Sequence, residues 1–127
     1  MNVRVSEGDY PEIELSGTGV EWSALAQAVR HDGIVVPCGS ASDPQPYARF
    51  GRQVVVTHVP GRKVRFAITE EGVEIAGDPV HLETLSQVMS ALSGPLPPGY
   101  HVHVDYQGDD RYVASDSVSA ILLHLSQ

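Results

Sequence analysis

Near the C-terminal end of the chain, Gly99 to Tyr106 reads GYHVHVDY. On an extended strand alternate side chains share a face, so His101, His103 and Asp105 project together. Two imidazoles and a carboxylate, at about 6–7 Å between alternate residues, are ligand types for zinc or for a 2-His-1-carboxylate iron centre. Such a centre also needs a fourth donor or an enclosed pocket, and His31, His58, His81 and His124 stand at no recognisable ligand spacing. With Val102, Val104 and Tyr106 as the inward set, the polar three read first as the solvated side of a half-buried strand. No metal and no cofactor is therefore assigned. A metal-binding protein or small metal-dependent enzyme using the His101/His103/Asp105 face stands as the alternative.

Other chemistry is sparser. No GxSxG elbow is present, and Cys38 lies in a loop without an adjoining helix N-terminus that would activate it. Ser115, Asp116, Ser117, Ser119 and His124 supply the residue types of a triad, but side chains so close along one segment do not converge as a triad must. Asp109 and Asp110 in GDDRY suit a solvated turn better than a calcium loop. The chain reads as a non-enzyme.

The elements that would hold these residues belong to one domain. At 127 residues, 42% hydrophobic and 19% charged, the chain can close a single core. Its apolar runs are far shorter than the roughly 20 residues that span a bilayer. The polar start MNVRVSEGDY lacks the pattern of a secretory signal, and Cys38 is the only cysteine, so a cytoplasmic location is expected. Net charge is −8, unevenly distributed. Arg49, Arg52, Arg62, Lys63 and Arg65 crowd the stretch from Pro44 to Thr69, which has no acid. Three other basic residues share the rest of the chain with all 16 acids. This balance disfavours nucleic acid and anionic membranes and favours a basic protein partner.

The chain also repeats itself. EIELSGTGVEWSALAQAV (Glu12 to Val29) aligns with VEIAGDPVHLETLSQVM (Val73 to Met89), with Gly17 on Gly77, Trp22 on Leu82 and Leu25 on Leu85. Upstream, Val3 to Val5 resembles Val64 to Phe66, so the repeat covers about residues 3–30 and 64–92. Each copy predicts strand, turn, strand, then a helix: Thr18 is the N-cap of the first, and Asp78-Pro79 the N-cap and N1 pair of the second. Trp22, Leu25, Ala26 and Val29, and then Leu82, Leu85, Val88, Met89 and Leu92, fall at helical core spacing. Gln53 to Gly77 reads as a three-strand meander turning at Pro60-Gly61 and Glu71-Gly72. Residues 37–51 read as a long loop, after a short strand at Ile34 to Val36. The end, SDSVSAILLHLSQ, fits a helix or a closing strand paired with His101 to Tyr106; the strand is preferred. The expected fold is α+β and two-layered. Two helices pack on one face of a mostly antiparallel sheet built from two similar β-β-α units.

Together, IAGDP (Ile75 to Pro79), the amphipathic helix after it, HVHVDY (His101 to Tyr106) and YVASDSVSAILLHL (Tyr112 to Leu125) resemble the immunity protein 32 family of bacterial polymorphic toxin systems. The resemblance runs from about Val73 to Leu125. It implies a small cytoplasmic protein that binds a cognate toxin domain and neutralises it, and it carries over no catalytic or metal role. The expected partner-binding residues are His101, His103, Asp105, Asp109, Asp110 and Asp116, facing a partner that is basic if charge complementarity guides capture. A monomer or a homodimer is expected. A non-catalytic homo-oligomeric module, formed by pairing of an exposed sheet edge, is the third possibility.

Overall fold

The computed structural model describes residues 1–39, 49–108 and 112–125. The chain forms β1 (Asn2–Ser6), β2 (Glu12–Gly17), α1 (Gly19–Ala28), β3 (Val35–Pro37), β4 (Arg49–Gly51), β5 (Gln53–His58), β6 (Arg65–Ile68), β7 (Gly72–Gly77), α2 (Pro79–Ala91), β8 (His101–Val104) and β9 (Ser119–His124). The α+β class is as expected, and most strand pairings are antiparallel. The strands divide into two sheets, ordered β4-β1-β2-β9-β8 and β3-β5-β7-β6.

Both helices start where side chains can satisfy their free backbone donors. Thr18 Oγ1 accepts from the Glu21 N–H at 3.3 Å, and the Glu21 carboxylate accepts from the Thr18 N–H at 3.0 Å, a reciprocal capping box. Asp78 accepts from the Val80 N–H at 2.9 Å, with Pro79 in the first turn. The helices pack against each other where Ser86 Oγ donates to the Ala26 carbonyl at 2.7 Å. Ala26 and Ser86 are equivalent positions of the repeat, so the two units meet at matching points.

The strands reveal an exchange between the units. Hairpin β1-β2 pairs with β9, which lies parallel to β2, with Gly17 opposite His124. Hairpin β6-β7 pairs with β5, parallel to β7, with Gly77 opposite His58. Each unit's last long strand therefore completes the other unit's sheet. The expected meander over residues 53–77 is corrected: β5 neighbours β7, not β6. The Pro60-Gly61 segment is not a hairpin turn but passes the end of β7, where the Val59 N–H donates to Gly77 and the Gly61 N–H to Asp78, at 2.8 and 2.7 Å.

Two further pairings close the circuit. The chain bonds to β1 as β4 and, after Arg52, to β7 as β5. In the second unit, Val113 bridges to Val64 and the Val118 N–H donates to Phe66 at 2.9 Å before β9 joins β2. β4 lies in the stretch expected to be loop. The short strand expected at Ile34 to Val36 is β3, one residue later.

Core residues from both sheets and both helices form one cluster, including Val3, Ile13, Trp22, Val54, Phe66, Ile75, Leu85 and Leu122. Trp22 is fully buried, and its Nε1–H donates to the Leu123 carbonyl at 3.0 Å, tying α1 to β9. Among the described residues no helix is long and apolar enough to cross a membrane.

Candidate functional site

β8 is the outer strand of its sheet, and its alternation is as the sequence suggests. Val102 and Val104 lie opposite Leu122 and Ala120 and turn inward; His101 and His103 lie opposite Leu123 and Ile121 and are exposed. The two imidazoles stand edge to face, 5.3 Å between ring centroids at 77°. His101 Nδ1 lies 3.1 Å from the Gly99 carbonyl oxygen. A carbonyl only accepts, so Nδ1 carries a proton and donates it. The turn is fixed by β9, whose His124 accepts from the Gly99 N–H at 3.0 Å and donates its own N–H to Tyr100 at 2.8 Å.

Beyond Val104 the strand ends and the expected alternation stops with it. Tyr106, expected to face inward, is 42% exposed, and its hydroxyl donates to the Gly108 carbonyl. Without a neighbouring strand to hold the period, the side chain follows local turn bonds instead. Asp105 is half-buried, and its carboxylate accepts from the Gln107 amide. Asp109 and Asp110 lie outside the described residues.

Asp116 is placed apart from the histidines, in a groove of about 290 Å³ lined by Arg62, Lys63, Arg65 and Glu74. Its carboxylate accepts from Arg65 Nε at 3.0 Å. An adjoining recess is lined by Arg62, Lys63, Asp116 and Tyr106, so Tyr106 joins the end of the β8 segment to the groove. The acidic display expected here is thus interrupted by cations. The basic stretch is partly neutralised in turn: Arg49 pairs with Glu7 at 2.9 Å and Arg52 with Glu71 at 3.1 Å. Among the described residues no three His, Cys, Asp or Glu side chains converge as a group able to hold a metal.

Two histidines with no apparent role in the sequence prove equivalent. His124 Nδ1 lies 2.9 Å from the carbonyl of Leu92, the C-cap of α2, and His58 Nε2 lies 3.3 Å from that of Val29, the C-cap of α1. Each ring donates to a helix-end carbonyl that lacks an intrahelical partner. The signal was present as VVVTH and AILLH, two apolar runs each ending in histidine. These histidines are structural, whereas the β8 pair is exposed. No family model, curated protein or solved structure matches the chain.

Proposed function

We propose that the chain is a small cytoplasmic binding protein of immunity type, which captures a cognate bacterial toxin domain and neutralises it without catalysis. The observation that carries this is the β8 edge. An outer strand presents two exposed imidazoles, with Tyr100 and Tyr106, 45% and 42% exposed, at its two ends. Exposed aromatic side chains are the residues from which protein-binding hot spots are made, and the outer strand between these two offers backbone groups for pairing. The edge is pre-organised because β8 is held by β9, which is itself held by β2. The resemblance of Val73 to Leu125 to immunity protein 32 supports the same function.

The mixed charge at the Tyr106 end favours a toxin surface that also carries both signs, with a carboxylate able to meet Arg62 and a base able to meet Asp116. Co-expression with a candidate toxin domain, sought in the adjacent coding sequence, tests the proposal. The two proteins are expected to co-purify at equal stoichiometry, and cells making the toxin are expected to grow only when this chain is present. A neighbouring toxin that neither binds nor is inhibited would overturn the proposal.

A further inference from the structure

We infer that His101 and His103 form an open two-histidine chelate for a borderline divalent transition-metal ion, of the Zn²⁺ or Cu²⁺ class. The ring separation is that of two imidazoles sharing one ion, and the exposed rings must turn from their edge-to-face stance to bring both lone pairs to it. A metal about 2.1 Å from a ring nitrogen lies about 3.2 Å from the ring centroid, so two imidazoles at a tetrahedral ion have centroids about 5.2 Å apart. The observed separation is 5.3 Å.

The second observation is the hydrogen bond behind His101. Metal-ligating histidines donate their other ring N–H to a carbonyl or carboxylate, which fixes the tautomer and raises ligand basicity. The Gly99 carbonyl already does this for His101 Nδ1 and leaves Nε2 as the ligand atom. The partner carbonyl is not adrift, since the Gly99 N–H is bonded to His124 in β9. Both imidazoles are exposed, so an ion can reach them without displacing protein.

Asp105 is not needed as a ligand: it lies past the strand end with the Gln107 amide on its carboxylate. The remaining coordination positions belong to water or to donor atoms of whatever docks on the edge. Imidazole ligands set the selectivity. Copper binds more tightly than zinc, while Mg²⁺ and Ca²⁺, which require oxygen donors, do not compete.

The test is calorimetric titration of tag-free protein with Cu²⁺ and Zn²⁺, alongside the side-chain ¹H–¹⁵N spectrum of the histidines. The inference predicts one ion per chain, copper tighter than zinc, and signals that move at His101 and His103. His101→Ala and His103→Ala should each weaken binding at least tenfold, with an unchanged circular-dichroism spectrum. His31→Ala and His81→Ala should leave affinity unchanged. Absence of saturable one-to-one binding, or binding undiminished by the His101 and His103 substitutions, would overturn it. The titration needs no toxin, so its outcome is independent of the proposed function.

Discussion

Replacing Gly72 with alanine would place a methyl group against the backbone of the exchanged strand. Gly72 opens β7 at φ +151°, a conformation that L side chains rarely adopt, and a Cβ there would lie 2.2 Å from the Gln53 carbonyl oxygen of β5. The conformational strain costs about 1–3 kcal/mol. Moving β5 away adds an overpacking cost of about 1–3 kcal/mol, giving a total of roughly 2–6 kcal/mol. That is a large share of the roughly 5–15 kcal/mol that stabilises a typical domain. Gly61→Ala is the internal control. Gly61 also has positive φ, at +76°, but nothing lies within 4 Å of its Cβ position, so only strain of about 1–2 kcal/mol applies. Urea denaturation followed by circular dichroism measures both variants. Gly72→Ala should lose clearly more stability than Gly61→Ala, with denaturant slopes close to wild type. Equal losses would refute the close parallel approach of β5 to β7 and, with it, the strand exchange.

Three further outcomes follow from single contacts. Trp22→Phe removes the indole donor from the Leu123 carbonyl and leaves a void in the core, at a cost of about 3 kcal/mol; a thermal-melt loss below about 1 kcal/mol would contradict the α1–β9 tie. The Glu21 carboxyl is held below its ordinary value, first by the N-terminal ammonium and then by the Thr18 N–H. A depressed carboxyl contributes stability above its unfolded value and loses it as pH falls through the folded one, so the gap between wild type and Glu21→Gln should be widest near neutral pH and close in acid. A gap that stays constant or widens on acidification would contradict this assignment. Burial pushes the Cys38 thiol up, so an aromatic disulfide reagent should modify native protein at least tenfold more slowly than urea-unfolded protein, and equal rates would contradict the burial.

What the sequence made legible was local. Thr18, Asp78 and Pro79 mark helix starts because a cap acts within three residues, and the β8 alternation is visible because the strand period is two. The exchange was not legible. β9 and β2 pair in parallel across about a hundred residues, and nothing local distinguishes that partner from a nearer hairpin. Gln53 to Gly77 looked like a meander for the same reason: turn residues at Pro60-Gly61 fit a hairpin as well as a crossing segment. At the site, His101 and His103 were legible as a pair, whereas Tyr106 was misplaced because β8 ends two residues before it. The basic stretch gave no hint that Glu7 and Asp116, remote in sequence, would meet Arg49 and Arg65.

The β8 edge is the face proposed to bind a toxin domain. Its most direct test is calorimetric titration of a candidate toxin domain, sought in the adjacent gene, into wild-type protein and into a Tyr100→Ala/Tyr106→Ala variant. Both residues are exposed and outside the core cluster, so the variant should keep the wild-type melting temperature. The wild type should bind one-to-one and the variant at least a hundredfold more weakly, about 2.8 kcal/mol for the pair. Tight binding that survives both substitutions unchanged would place the toxin on another face and contradict the claim.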